Sequence, residues 1–86
     1  MTKREKVQEM FGDDVELLFA DSYDDAIMGV DFSTHRVIYS IEKCLEILKT
    51  NEGMEEEDAI DHFYYNVAGS SVGDKTPIWS HDMRVL

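Results

Sequence analysis

The chain has 86 residues, 43% of them hydrophobic, and this length predicts a single domain, residues 1–86, around one small core. Nineteen acidic and eight basic side chains give a net charge of −11, which disfavours binding to nucleic acid or to a membrane surface because both are negatively charged. The lone cysteine excludes an intrachain disulfide, and the Cys and His spacing fits no structural zinc site.

The sequence also disfavours secretion and membrane insertion. No stretch is long and apolar enough to cross a bilayer, and the first residues, MTKREKVQEM, lack the apolar middle of a signal peptide. A lone cysteine suits a reducing compartment. We therefore expect a cytoplasmic protein.

The first two predicted elements are a helix and a strand. Residues 2–11 are typical of a helix, since Thr2 can cap its start, apolar side chains recur at helical spacing, and Gly12 suits its end. The apolar run VELLFA, residues 15–20, then predicts a short buried strand, although its periodicity also allows a helix. Residues 21–25, DSYDD, have the side chains of a turn.

A β-hairpin is predicted next. Residues 26–32 and 36–40 are both apolar, and the short segment STH between them gives the spacing of a hairpin. Gly29 in the first strand indicates a bulge or a close backbone approach. Because both strands are apolar on both sides, we expect the sheet to be covered on both faces.

Two helices and an edge strand complete the predicted fold. Ser40 caps a helix that begins at Ile41 and carries one apolar stripe, and a second helix begins at Met54 or Glu55 and ends near Gly69. The tight turn between them predicts an antiparallel helical hairpin, and the tail after it suits an edge strand. The predicted fold class is α+β: a small, mainly antiparallel sheet packed with an N-terminal helix and a C-terminal helical hairpin.

Acidic residues crowd the start of the second helix: Glu55, Glu56, Glu57, Asp58 and Asp61. The first turn of a helix has unpaired N–H groups and the positive end of the dipole, so each carboxylate there is favoured by about 0.3–1 kcal/mol. The rival interpretation is mimicry of nucleic acid. The block carries about one charge per 1.8 Å of axis, and duplex DNA carries about one per 1.7 Å. Because the row lasts only about one and a half turns, we favour helix initiation.

Tyr65 does not fit the amphipathic pattern of this helix. At 100° per residue, one broad apolar face consists of Ala59, Ile60, Phe63, Tyr64 and Val67. Tyr65 falls on the opposite, polar face. Either the C-terminal tail, which is apolar at Val72, Ile78 and Trp79, covers the ring, or the ring is exposed to a partner. We favour the covered arrangement.

Residue types that carry catalysis or bind metals form no recognisable site. Cys44 falls in the apolar stripe of its helix, which indicates a buried, inert thiol. Asp58 and His62 are four residues apart and could offer two metal ligands, but no third ligand is specified, and an exposed helix pair explains them. We therefore expect no catalytic residue, no cofactor and no metal site. We also expect that the protein is not an enzyme.

Three segments carry a resemblance to a known family: DSYDDAIMGV, VIYSIEKCLEIL and GMEEEDAIDHFYYNVAGSSVGDKTPIW. Over about residues 10–79 they resemble a widespread family of small phage and prophage-type bacterial proteins. The last segment is the most specific, with the pattern GMxxEDAxxxFxYNVxGxxVGxxTPIW. The chain departs from this family at Glu55, Tyr64, Ser70 and Ser71. The resemblance implies phage or prophage origin, hence the host cytoplasm, and an aromatic side chain at position 65. It implies no activity.

Together these features predict a small acidic accessory protein that acts by binding another protein. The alternatives are an anti-defence inhibitor that mimics nucleic-acid charge and an undiscovered enzyme or metal-binding protein. The expected partner is basic or is a nucleic-acid enzyme. A homodimer also stays open, because an uncovered apolar side of so small a sheet would favour association. The predicted contact residues lie on the outer helix face and in the turn at residues 21–25: Glu57, Asp58, Asp61, Tyr65, Asp24 and Asp25.

Overall fold

The structure, a computed structural model, describes most of the chain: residues 2–12, 14–69 and 73–85. Its first element is helix α1, Lys3–Phe11. Thr2 and Glu5 form a capping box, in which the Thr2 hydroxyl accepts from the Glu5 amide at 3.1 Å and the Glu5 carboxylate accepts from the Thr2 amide at 3.2 Å. Gly12 ends the helix at a φ of 68°, which glycine adopts without strain. The predicted N-terminal helix is confirmed.

The apolar run 15–20 does not form the predicted strand. After a bend at its start it has no regular secondary structure, and a 3₁₀ turn, Asp24–Ala26, follows shortly after it. The amide of Ala20 donates to the side-chain hydroxyl of Tyr39 at 2.7 Å. The prediction is wrong because this segment packs apolar side chains such as Phe19 against the core, while its backbone bonds to a side chain.

Among the described residues the sheet has three strands, in the order β1–β2–β3: β1 is Ile27–Val30, β2 is Val37–Ser40 and β3 is Ile78–Ser80. β1 and β2 form the predicted antiparallel hairpin, and β3 pairs parallel to β2 along its other edge. The register shifts between Ile27 and Gly29, so the predicted irregularity at Gly29 is present as a bulge. The predicted C-terminal edge strand is confirmed as β3.

Two helices follow β2 and contact each other. Helix α2, Ile41–Asn51, begins at Ser40, whose hydroxyl accepts from the Lys43 amide at 3.1 Å, as predicted. Gly53 turns the chain at a φ of 68°, and α3, Glu56–His62, packs against α2. The α+β class is thus confirmed, whereas the antiparallel hairpin geometry of α2 and α3 stays a prediction.

The chain beyond α3 widens into a π-helical turn, Phe63–Val67, in which the amide of Ala68 donates to the carbonyl of Phe63 at 2.8 Å. A wider turn rotates less per residue than an α-helix, so a face predicted at 100° per residue fails there. Phe63 is fully buried as predicted, but Tyr64 is 49% exposed. Ile60, which lies in α3 and was also predicted to be on the inner face, is exposed too, at 36%.

Three aromatic rings connect the sheet to the π turn. Tyr39 and Phe63 are fully buried, and the Trp79 ring lies 5.1 Å from the Tyr39 ring and 5.4 Å from the Phe63 ring between centroids. The contact of Trp79 with Phe63 is edge-to-face at 89°, an arrangement that aromatic quadrupoles favour. The rings therefore hold β2, β3 and the π turn together.

Carboxylates attach the segment after β3 to the start of α2. Glu42 accepts from the amide of Asp82, and its other oxygen lies 2.6 Å from Nδ1 of His81. Asp82 is itself buried and accepts from the amide and the guanidinium of Arg84. The nearby Ser40 side chain helps to lower the pKa of Asp82. Ser40 therefore caps α2 close to a buried carboxylate whose pKa it helps to lower.

Ser40→Ala is expected to destabilise the protein by about 1 kcal/mol, because α2 loses its cap. Urea denaturation followed by circular dichroism measures this loss. Ser33→Ala, at an exposed turn position, is the matched control and should change the free energy of unfolding by less than about 0.5 kcal/mol. Equal effects of the two substitutions would contradict the role given to Ser40.

The attachment of the C-terminal segment should also depend on pH. Burial alone would raise the pKa of Glu42, but the Asp82 amide and the His81 ring outweigh it and lower that pKa. The Arg84 guanidinium lowers the pKa of Asp82. A carboxyl with a lowered folded-state pKa contributes stability that is fully present above its unfolded pKa. That stability is lost as the pH falls through the folded value.

We therefore expect Glu42→Gln to destabilise the protein near pH 7 and to lose that effect progressively as the pH is lowered toward about 3 and the wild-type carboxyl takes up a proton. Urea denaturation across this range measures the difference between variant and wild type. Glu57→Gln, at an exposed position, is the control and should show no such trend. If the destabilisation by Glu42→Gln stays constant down to low pH, the ionised Glu42 carboxylate does not attach the C-terminal segment as described.

Candidate functional site

The outer side of α3 and the π turn presents carboxylates around an exposed aromatic ring. Glu57, Asp58 and Asp61 are exposed, and Tyr65, one helical turn beyond Asp61, is 82% exposed. Within the described part of the chain, no hydrogen bond or ion pair engages these three carboxylates. We call these four residues, Glu57, Asp58, Asp61 and Tyr65, the acidic face.

The prediction that the C-terminal tail covers Tyr65 is wrong. The ring is 82% exposed, because Ile78 and Trp79 of the tail pair with β2 instead, and Trp79 packs against the core. Val72, the other apolar residue of the predicted cover, lies outside the described residues. Tyr65 is therefore available to a partner, which was the alternative interpretation.

Helix initiation accounts for only part of the acidic face. The first turn of α3 contains three acidic residues: Glu56, Glu57 and Asp58. The positive end of the helix dipole favours them there, as predicted. Asp61 lies beyond this turn, so the dipole does not explain its presence. Glu55 is the N-cap, and its side chain makes no capping hydrogen bond.

Asp24 and Asp25 belong to the 3₁₀ turn, which packs against α1 and α2. Oδ1 of Asp24 is buried 3.7 Å from Nε of Arg4, and neither atom has a hydrogen-bond partner among the described residues. The Asp25 carbonyl accepts from Nζ of Lys3 at 2.9 Å, and the residue itself is exposed. Asp24 is thus engaged inside the fold, while Asp25 remains on the surface.

Asp58 and His62 belong to no candidate metal site among the described residues. Over residues 2–12, 14–69 and 73–85, no group of three or more His, Cys, Asp or Glu side chains could hold a metal ion. Nδ1 of His62 lies 3.5 Å from the side-chain nitrogen of Asn66. Over the same ranges, no helix combines the length and the apolar character needed to cross a lipid bilayer.

Cys44 is fully buried on α2, as predicted. Burial raises the pKa of its thiol to about 12. The thiol is therefore protonated at neutral pH, and only a thiolate is a strong nucleophile. Its surroundings suit a core side chain.

The structure contains an apolar cavity of about 270 Å³ that the sequence analysis did not predict. Its walls come from three separate segments of the chain, and the larger lining side chains are Leu18, Phe19, Tyr23, Val67, Pro77 and Trp79. Ala20 and Asn66 complete the described lining, which contains no charged residue. We call this space the Trp79 cavity.

The Trp79 cavity depends on long-range packing, and the sequence offered only indirect signals of it. One was the single tryptophan, and the other was the apolar run 15–20, which was assigned to a strand. The indole nitrogen of Trp79 is buried and has no acceptor among the described residues. The ring therefore contributes apolar surface to the cavity rather than an accessible N–H group.

Comparisons with known proteins identify no relative. No protein-family model, no curated protein and no solved structure matches the chain. The resemblance to small phage and prophage-type proteins stays a prediction from the sequence motifs. The function proposed below therefore rests on the acidic face.

Native protein is expected to resist modification of Cys44 by dithiobisnitrobenzoate at about pH 8, because the thiol is buried and protonated. In denaturant the single thiol should react completely. Ser33→Cys adds an exposed thiol and should react at once in the folded protein, which makes it the positive control. Rapid modification of the native wild type would contradict the inert assignment.

Proposed function

We propose that this chain is a small protein-binding accessory protein whose acidic face contacts a basic surface of its partner. The observation that carries the proposal is the 82% exposure of Tyr65 beside Glu57, Asp58 and Asp61. These three carboxylates make no hydrogen bond or ion pair within the described residues, so their charge is free to attract a partner. The proposal requires no catalytic group.

Net charge supports a basic partner. With 19 acidic and eight basic side chains, the whole molecule attracts positively charged surfaces and repels nucleic acid and anionic membranes. Electrostatic complementarity of this kind raises the association rate and selects against wrong partners. Because the acidic face is exposed, its attraction is screened within about 10 Å at 0.1 M salt. Binding should therefore weaken as salt is added.

Tyr65 adds an aromatic contact surface, which the charged side chains of the acidic face do not provide. Tyrosine is enriched among interface residues that dominate binding energy, because it buries a large rigid ring and keeps a polar hydroxyl. A lysine or arginine over such a ring gains about 0.5–2 kcal/mol by cation–π attraction. The same basic side chain can then face the carboxylates nearby. An exposed tyrosine among acids thus fits a partner rich in lysine or arginine.

A phage or prophage origin and a host cytoplasmic location are part of the proposal, supported by the sequence resemblance. The partner could itself be a nucleic-acid enzyme, since such enzymes present basic surfaces. We favour a contact that uses Tyr65 over mimicry of nucleic-acid charge. The row of carboxylates ends at Asp61 and the exposed Tyr65 follows it, whereas a mimic needs a longer row of charge.

The test is quantitative affinity capture from a bacterial lysate at low and high salt, with the bound proteins measured by mass spectrometry. We expect Glu57→Lys/Asp58→Lys/Asp61→Lys and, separately, Tyr65→Ala to lose a salt-sensitive partner that the wild type retains. The matched control is Glu9→Lys/Asp14→Lys/Asp74→Lys, which reverses three exposed charges elsewhere and should keep the partner.

Circular dichroism tests whether each variant is folded. This control is needed because lysines at the start of α3 interact unfavourably with the helix dipole. Equal loss of the partner in both triple variants would show that only overall charge matters. Retention of the partner by the acidic-face variants would contradict the proposed surface.

A further inference from the structure

Resting on the proposed function, we infer that the Trp79 cavity receives one large apolar side chain of the same partner. We propose that this side chain is flanked by lysine or arginine residues, which face the acidic surroundings of the cavity. The partner segment is therefore a basic peptide with an apolar anchor, rather than a basic surface alone.

The size of the cavity suits a single anchor side chain. Its volume is about 270 Å³, and an engineered protein cavity of about 150 Å³ holds benzene. The Trp79 cavity therefore has room for a phenylalanine or leucine side chain. Interface anchors typically fill such desolvated pockets and carry much of the binding energy.

The cavity adjoins the acidic face along the chain. Tyr65, Asn66 and Val67 are consecutive residues of the π turn, and the first belongs to the acidic face while the other two line the cavity. Consecutive Cα atoms lie about 3.8 Å apart. A partner segment that contacts Tyr65 can reach the cavity by passing Asn66, which is exposed and lines it.

Charges next to the cavity walls favour basic flanking residues. Glu16 and Asp21 are exposed at either end of the wall segment that contains Leu18 and Phe19. Asp21 accepts from Arg4 at 3.1 Å, whereas Glu16 has no hydrogen bond or ion pair within the described residues. An uncharged lining beside these sequence neighbours, in a chain of net charge −11, suits an apolar side chain carried by a positively charged segment.

Like charge disfavours a second copy of the chain as the occupant. Phe32 in the β1–β2 turn is 94% exposed and could act as an anchor for the cavity of another molecule. That arrangement would bring together two molecules that each carry a net charge of −11. A basic partner gains from the same field that a second copy must overcome.

The experiment uses three synthetic peptides that separate charge from the anchor: Lys-Lys-Phe-Lys-Lys, Lys-Lys-Ala-Lys-Lys and Gln-Gln-Phe-Gln-Gln. Calorimetry measures their affinity for the full chain, and the emission of the single tryptophan reports occupancy of the cavity. We expect the Phe peptide to bind at least about fivefold more tightly than the Ala peptide, since it buries an aromatic side chain. The Gln peptide should be weakest, and only the basic Phe peptide should change the emission strongly.

Leu18→Gln makes the cavity wall polar without changing charge, and Val85→Gln is the matched control at an exposed position outside the cavity. Leu18→Gln should remove the advantage of the Phe peptide over the Ala peptide, and the control should keep it. Analytical ultracentrifugation measures self-association, and a dimer abolished by Phe32→Ala would assign the cavity to a second copy and overturn the inference.

The outcomes separate the anchor from the acidic face. Equal binding of both lysine peptides, weakened by reversing the charges of Glu57, Asp58 and Asp61, would overturn the anchor and leave the proposed function intact. If neither lysine peptide binds, or if that charge reversal leaves their binding unchanged, both the anchor and the proposed acidic face are contradicted.

Discussion

The buried hydroxyl of Tyr39 fixes the position of the irregular segment that forms one wall of the cavity. It accepts from the Ala20 amide at 2.7 Å, while its ring lies fully buried in the central strand. Burial raises the pKa of Tyr39 to about 12, so the phenol stays neutral over the physiological range. Without this bond, the Ala20 amide, which follows the cavity-lining Leu18 and Phe19, would lose its hydrogen-bond partner. Residues 15–20 would then lose the contact that holds their backbone in place against the sheet.

The aromatic contacts extend from Tyr39 to the functional surface. Trp79 packs against Tyr39 with the two rings tilted by 32°, and it meets Phe63 edge-on at the start of the π turn. Because Phe63 is anchored inside the core, the residues that follow it are turned outward, and Tyr65 becomes exposed. The same wide turn directs Val67 to the cavity. The packing of Tyr39, Phe63 and Trp79 thus positions both Tyr65 of the acidic face and the walls of the cavity.

Local rules of sequence were sufficient for much of the fold. The capping residues Thr2 and Ser40 marked the starts of α1 and α2, Gly29 marked an irregularity in β1, and Cys44 was assigned to the core. Each of these depends on neighbours within a few positions. Exposure of the acidic residues was likewise predictable, since α3 buries its opposite side.

The errors arose where distant residues decide the local structure. The segment 15–20 has a strand-like composition, but its partner is a side-chain hydroxyl 19 residues away, which periodicity does not reveal. The π turn contains neither glycine nor proline to mark the change from α3, so the rotation of Tyr64 and Tyr65 was extrapolated from an ideal helix. The cavity combines three segments that are far apart in sequence, and it could not be assigned before the tertiary packing was known.

The most direct test of the account is nuclear magnetic resonance mapping of the ¹⁵N-labelled chain titrated with a basic peptide that carries a phenylalanine. We expect the largest shifts at amides from Glu57 to Val67 and at the single indole N–H of Trp79, with small shifts on α1. Shifts spread evenly over all exposed acidic residues, with an unmoved indole signal, would contradict a binding surface built from the acidic face and the Trp79 cavity.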